Sequence, residues 1–156
     1  MNIVKSSRHS KIAGDFGEHL ILYWLSKYGF ECARVDHTGI DLIARNPKTR
    51  ELMGISVKSR TRNPGTESDM VSITNSNIEK VKSACKAFDC ISYFAIVVDA
   101  GEIIRGFIMP MSHLLKIAPG GKKVSSWKMT KSYLARYYQD PLIKSFELNT
   151  KTITWW

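Results

Sequence analysis

The sequence lacks several features that would place it in common classes of protein. No stretch of its 156 residues approaches the ~20 apolar residues needed to cross a bilayer, and residues 1–8 contain no apolar signal core. The three cysteines include no CxxC pair, so we expect neither a disulfide framework nor a structural zinc site. Internal repeats and a glycine-rich phosphate loop are missing as well. These absences predict a cytoplasmic protein with reduced thiols.

The size and composition indicate one domain. A chain of 156 residues with 44% hydrophobic residues is long enough to bury a core, and no linker divides it. We expect a single domain over residues 1–156. Its core is predicted at about 12–110, followed by a basic and aromatic C-terminal extension at about 111–156.

Positive charge is the strongest feature of the composition. The chain has 23 lysines and arginines against 14 acids, a formal net charge of +9. This excess is concentrated in residues 1–62 and 116–144, which suggests a surface that faces a polyanion. Because neither terminus carries a basic amphipathic helix with a wide apolar face, nucleic acid is favoured over anionic lipid.

Hydrophobic periodicity predicts an α/β protein. The predicted elements are a helix over 12–28, strands over 30–35, 40–45 and 52–59, a polar loop over 60–70, a helix over 76–88 capped by Ser76 or Asn77, strands over 91–98 and 103–109, and helices near 111–116 and 132–138. This order favours a mixed sheet with helices packed on its faces over a doubly wound parallel sheet.

The first predicted helix carries apolar residues at every fourth position. The spacing predicts one apolar stripe that faces the core, formed by Ile12, Phe16, Leu20, Trp24 and Tyr28.

Asp41 and Lys58 lie on consecutive predicted strands. A hairpin closed by the turn at 46–50 would place Asp41 roughly opposite Ile55, beside Ser56 and Lys58. Since strand side chains alternate, Ser56 and Lys58 project from the same face, and a bulge would let Asp41 join them.

A carboxylate beside a lysine suits metal-assisted cleavage of phosphodiesters. Asp41 and the backbone carbonyl of Val57 would hold Mg²⁺, which takes few protein carboxylates. The Lys58 ammonium would orient or deprotonate the attacking water and offset charge on the phosphate. The alternative is that each residue is an ordinary surface residue, because aspartates are common in turns and lysines commonly end strands.

Three segments together resemble the PD-(D/E)XK nuclease superfamily, and the chain is also similar to its archaeal Holliday junction resolvase branch. The segments are Gly17-Glu18, Gly39–Ala44 and Ile55–Arg60, and the resemblance covers residues 12–98. It implies a restriction-endonuclease-like fold, with a mixed β-sheet core flanked by helices in the order α-β-β-β-α-β. It also implies an Mg²⁺- or Mn²⁺-dependent endonuclease that hydrolyses branched or duplex DNA.

The resemblance assigns roles to three residues and departs from the family pattern at two. Asp41 would be the metal aspartate, Lys58 the catalytic lysine and Glu18 a helical acid that assists at the metal. Ile40 stands where the family has proline, and Ser56 stands where it has a second acid.

The Ser56 departure leaves two interpretations open. A serine hydroxyl is a weak or water-mediated ligand without charge, so the metal would depend more on Glu18, on Asp36 or on the DNA phosphate. Alternatively, catalysis has been lost and the protein is a nucleic-acid-binding module on the same fold. A third interpretation is an interaction subunit of a larger DNA-processing system.

Basic residues outside the motif are candidates for contacts with nucleic acid. Two leave the site on the polar loop, and four lie where cations alternate with aromatic residues, a pattern suited to holding phosphates and stacking bases. The six are Arg60, Arg62, Lys122, Lys123, Lys128 and Lys131. The alternatives are a solvated loop and a packed helix with its lysines outward. Because cutting both strands of a duplex takes two sites, the resemblance also implies a homodimer.

Overall fold

The computed structural model describes residues 4–155. The helices are α1 His9–Lys27, α2 Asn75–Ala87, α3 Met111–Ile117 and α4 Lys131–Gln139, and the strands are β1 Glu31–His37, β2 Ile40–Arg45, β3 Leu52–Thr61, β4 Val71–Thr74, β5 Ile91–Asp99, β6 Ile103–Pro110, β7 Val124–Trp127 and β8 Lys144–Asn149. None of these helices is long and apolar enough to span a bilayer.

Six strands form the central sheet, in the order β1-β2-β3-β5-β6-β8. Neighbouring strands are antiparallel except β3 and β5, which are parallel and are joined through α2. Helix α1 packs on one face, where Leu20 and Ile21 join a buried cluster with Ile55. Helix α2 packs on the other face, where Val81 lies in a cluster with Phe94. The predicted mixed sheet with helices on its faces is therefore confirmed.

The predicted apolar stripe of α1 is wrong. Ile12, Phe16 and Tyr28 are 55%, 45% and 62% exposed. The buried residues of the helix are Gly17, Leu20, Ile21 and Leu25. Four residues advance about 40° beyond one turn of 3.6 residues, so a stripe with that spacing winds around the helix and leaves the core at both ends.

The pairing of β2 with β3 ends early, next to Asp41. Leu42 lies opposite Ile55, and no pair of this ladder continues beyond them within the described residues. The prediction that placed Asp41 opposite Ile55 is therefore wrong by one residue. The irregularity extends into β1, where the pairing with β2 shifts between Arg34 and His37. The two strands thus separate at Asp41 and form a fork.

Alternation of side chains breaks at the same point. Ile40 packs in the α2-side cluster, whereas Leu42 packs in the α1-side cluster. Two residues of a regular strand at this spacing would share one face. The local irregularity therefore turns Asp41 out of the ladder and toward β3, as the expected bulge would do.

Strands beyond the predicted ones add to the structure at the edge of the central sheet and on its α2 side. Strand β8 extends the sheet, and Phe146 in it stacks on Trp24 of α1 with ring centroids 4.0 Å apart. Strands β4 and β7 form a separate two-stranded sheet. None of the strands β4, β7 and β8 was predicted from the sequence. The cap of α2 also differs, since Thr74 Oγ1 accepts a hydrogen bond from the Asn77 amide.

Candidate active site

Asp41 is fixed at the fork by the backbone of β3. Its Oδ2 accepts a hydrogen bond from the Val57 amide over 2.7 Å. A buried strand N–H needs an acceptor, and the carboxylate supplies one where the ladder has ended. In a strand, the N–H and C=O of one residue point to the same side, so the Val57 carbonyl faces the fork as well. A carboxylate and a backbone carbonyl therefore lie together at this point.

Ser56 and Lys58 project to the face covered by α2. They lie beside Phe94 and Ile96 of β5, both in the α2-side cluster, whereas Val57 packs on the α1 side. Ser56 is only 3% exposed. The fork thus has a small buried hydroxyl where the resemblance expects a second acid.

The Lys58 ammonium is in an environment that disfavours its charge. Burial lowers its pKa below the ordinary value, and the positive charges of Arg60 and Lys80 act in the same direction. The negative charge of Asp41 opposes these effects and raises the pKa. Lys58 therefore loses its proton more readily than an exposed lysine, which suits a group that exchanges a proton with water.

Asp41 and Lys58 do not neutralise each other by direct contact. Within residues 4–155, neither takes part in an ion pair with an N–O distance of 4.0 Å or less. Asp41 nevertheless acts on the pKa of Lys58. The two charges therefore influence each other without forming a direct ion pair.

Glu18 lies on the α1 side of the sheet, where it pairs with Arg34. Its Oε2 accepts two hydrogen bonds from Arg34 of β1, over 3.0 Å from Nε and 2.7 Å from Nη2. Gly17 makes this close approach of helix and sheet feasible, because a methyl group there would overlap Ser59 Oγ. Glu18 and Lys58 thus lie on opposite faces of the sheet, with Asp41 at the fork between them.

Arg34 links the acids of this side. Its hydrogen bond to Glu18 raises its pKa, and the charges of Asp15 and Asp41 add to that effect. Asp36, the other acid considered from the sequence, lies exposed in β1. Arg34 therefore forms the ion pair with Glu18 and also interacts electrostatically with Asp41.

The available donors fit a metal that is shared with a phosphate. In the part of the chain that the structure describes, no three His, Cys, Asp or Glu side chains form a group able to hold a metal. The fork offers the Asp41 carboxylate and the Val57 carbonyl, with Glu18 engaged by Arg34. Mg²⁺ is commonly bound by one or two carboxylates, several waters and substrate phosphates, so this small set is sufficient only with the substrate present.

Comparisons with known proteins support the fold assignment. No family model and no curated protein matches the chain. Among solved structures, it is similar to Hjc, a Holliday junction resolvase from the archaeal hyperthermophile Archaeoglobus fulgidus, with a TM-score of 0.57 and 18% identity over 79% of this chain and 88% of that one. The fold is restriction-endonuclease-like. The fold prediction is thereby confirmed, and at this identity the likeness extends to the fold alone.

The two arginines after Lys58 differ in their surroundings. Arg60 is exposed at the end of β3 in the restriction-endonuclease-like sheet. Arg62 donates through Nη2 to the carbonyls of Asp69 and Met70, each over 2.9 Å. Arg60 is therefore accessible beside the fork, whereas Arg62 holds the loop that follows β3.

The four C-terminal lysines are exposed on elements of the α2 side. Lys122 and Lys123 lie in a loop whose carbonyls accept hydrogen bonds from Asn75 at the start of α2. Lys128 contacts the Tyr133 ring, with Nζ 5.0 Å from its centroid, and Lys131 begins α4. Trp127, Met129 and Leu134 anchor these elements in the α2-side cluster. The lysines therefore belong to the face toward which Lys58 projects.

Sequence reasoning did not single out Arg34 or Lys80. The exposure of β1 shows no regular alternation, so the pattern gives no signal that Arg34 faces a helix. Lys80 is an exposed residue of α2 and resembles any solvated lysine in the sequence. Both become visible only when strand and helix are placed around the fork.

Proposed function

We propose that this protein is a divalent-metal-dependent nuclease that hydrolyses phosphodiester bonds of DNA, built on the PD-(D/E)XK plan. The observation that carries the proposal is the Asp41 carboxylate, held by the Val57 amide over 2.7 Å at a fork beside a largely buried Lys58. Partly buried charges that lack a direct ion-pair partner are costly unless another charged group pairs with them. A metal ion and a phosphate together are such a group.

The residues of the fork have separate roles in the proposed hydrolysis. Mg²⁺ or Mn²⁺, when bound, supplies Lewis acidity that polarises the phosphate and acidifies a water. Asp41 and the Val57 carbonyl position this charge, and the hydrogen bond to the Val57 amide fixes the carboxylate. The Lys58 ammonium offsets charge that develops on the phosphate, and its lowered pKa lets it exchange a proton with the attacking water.

Ser56 makes this site dependent on its substrate. The buried hydroxyl adds no negative charge, so the free protein offers the metal one carboxylate at the fork, with Glu18 as a second after it leaves Arg34. A phosphate oxygen from DNA supplies the missing ligand. We therefore infer weak metal binding by the free protein and tighter binding in the DNA complex.

DNA is the proposed partner on grounds of charge and placement. The net charge is +9, and exposed lysines lie on the face toward which Lys58 projects. We propose phosphate contacts from Arg60, Arg62, Lys122, Lys123, Lys128 and Lys131. The similarity to a Holliday junction resolvase makes four-way junctions the first substrate to test, and a homodimer would supply a site for each strand.

A cleavage assay on labelled four-way junctions and linear duplexes tests the function. We expect cleavage with Mg²⁺ or Mn²⁺ and none in EDTA. Asp41→Asn and Lys58→Ala should each lose at least about 10²-fold in rate, because each removes charge stabilisation at the phosphate. Both variants should still bind DNA by fluorescence anisotropy. Lys48→Ala, which removes an exposed lysine from the far end of the same hairpin, should cut like the wild type.

Two other results would each favour an alternative. DNA binding with a steep salt dependence but no cleavage under either metal would support the nucleic-acid-binding module. If the protein neither binds nor cleaves DNA at low salt, the result would contradict both the nuclease and the nucleic-acid-binding module. It would favour the interaction subunit.

A further inference from the structure

The ion pair between Glu18 and Arg34 occupies the second carboxylate near the fork. Both guanidinium donors, Nε and Nη2, converge on one oxygen of Glu18. The side chains are not deeply buried, at 22% exposure for Glu18 and 43% for Arg34. The pair is therefore well formed but accessible to a competing ion or phosphate.

A metal ion and Arg34 compete for the same ligand. Glu18 cannot coordinate a cation with Oε2 while that atom accepts two hydrogen bonds from a guanidinium. Arg34 lies across from Leu42, the neighbour of Asp41, so its charge also acts next to the fork. In the free protein, this guanidinium both occupies Glu18 and repels an approaching cation.

We propose that Arg34 is a positioning residue that withholds Glu18 from the metal in the free protein and moves to a DNA phosphate when DNA enters the fork. This inference rests on the proposed nuclease function and deepens it. The exchange makes metal binding and DNA binding cooperative through one side chain. It also supplies the second carboxylate that Ser56 does not.

The chemistry of the groups favours this exchange. A guanidinium presents parallel N–H donors that match a phosphate as well as a carboxylate, so Arg34 exchanges one anion for another. The released Glu18 meets the metal, and neither step leaves a charge unpaired. Because coupling between two ligands is reciprocal, metal that draws Glu18 away also frees Arg34 for the phosphate.

Titration of Mn²⁺ into the free protein, followed by electron paramagnetic resonance, tests the inference without cleavage. Arg34→Gln should bind Mn²⁺ about tenfold more tightly than the wild type, equivalent to about 1.4 kcal/mol. Arg34→Gln combined with Glu18→Gln should lose this gain. Arg34→Lys keeps the charge but not the paired donors. Its Mn²⁺ affinity should therefore lie between those of the wild type and Arg34→Gln. In EDTA, Arg34→Gln should also weaken DNA binding and lower the salt slope by about one.

Lys11→Gln is the matched control. Lys11 forms an exposed ion pair with Asp15 over 3.4 Å on the same helix, so its removal deletes one positive charge away from Glu18. It should leave Mn²⁺ affinity within about twofold, since exposed pairs contribute little.

The outcomes separate this inference from the proposed function. If the wild type binds Mn²⁺ and Asp41→Asn abolishes binding, but Arg34→Gln binds no more tightly, the role of Arg34 is wrong and the function stands. If the gain in Mn²⁺ affinity persists when Arg34→Gln is combined with Glu18→Gln, the role of Glu18 is contradicted. If neither the wild type nor Arg34→Gln binds Mn²⁺ at millimolar concentration, the inference fails, whereas the proposed function, whose metal site is completed by DNA, is decided by the cleavage assay.

Discussion

Lys58 is the residue at which stability and the proposed function oppose each other most directly. Its ammonium is desolvated, and within the described residues it lacks an ion-pair partner at contact distance. A charge held in this way costs folding free energy. Such a position is typical of a group kept for chemistry, because structural lysines extend into solvent.

Lys58→Met should therefore stabilise the protein while it removes activity. The free energy of unfolding at pH 7, measured in urea, should rise by about 1 kcal/mol, the size usual for relieving strain at a functional site. The cost of burying this charge applies at pH values below the folded-state pKa of Lys58 and is lost as the pH rises toward the ordinary value of 10.5. The control Lys48→Met, at an exposed turn position, should change stability by less than about 0.5 kcal/mol.

The same variant gives a pH dependence with a definite sign. The folded-state pKa of Lys58 lies below its ordinary value of 10.5, so between the two values the unfolded chain binds more protons. Stability from this group therefore rises with pH across that window. The advantage of Lys58→Met should shrink at pH 10, and a lower stability of the variant at pH 7 would contradict this account.

Among the secondary-structure elements, the turn at Gly39 and helix α2 together determine the position of the fork. Gly39 joins β1 to β2 with φ at +108°, in the region that favours glycine. A methyl group there would overlap the backbone carbonyl of Lys80 in α2. The turn thus packs directly against the helix, which sets where β2 begins and how Asp41 is presented.

Gly39→Ala should destabilise the protein by about 3 kcal/mol, the sum of about 1 to 2 for the backbone conformation and about 1 to 3 for the overlap. Gly101→Ala is the matched control, because Gly101 has φ at +89° with open space around it. It should cost about 1 to 2 kcal/mol, from the backbone alone. Equal losses of stability in urea unfolding would show that the contact with α2 contributes nothing.

The elements show which structural information is local in the sequence. Strand β2 was predicted with its observed bounds, because turn signals at 36–39 and 46–49 flank its apolar segment closely. Strands β4 and β7 were missed because each is four residues long and is defined by pairing with the other, far along the chain. The stripe of α1 failed for a different reason, since its spacing drifts relative to the helical turn.

At the scale of the whole molecule, the site combines local and distant relations. Asp41 and Lys58 could be brought together from the sequence because one short hairpin joins their strands. The pairing of Glu18 with Arg34 could not, because it depends on how α1 crosses an edge strand and on the close approach at Gly17. The fold is confirmed, whereas the metal, the DNA and the roles of the residues stay predictions.

The basic surface connects the site to its proposed substrate. Exposed lysines near α2 and Arg60 at the end of β3 lie on or beside the face that holds Lys58. DNA drawn to this surface would bring a phosphate to the fork, where the proposed metal would need a further ligand. The substrate would then complete the site that cuts it.

The central claim is that Asp41 and the Val57 carbonyl hold a metal together with a DNA phosphate. Crystals of Lys58→Ala with a four-way junction and Mn²⁺, measured for anomalous scattering, test it most directly. The account predicts a manganese peak about 2 to 2.5 Å from an Asp41 carboxylate oxygen, from the Val57 carbonyl oxygen and from a phosphate oxygen. Bound DNA without a manganese peak at Asp41, or a peak held by other residues, would contradict it.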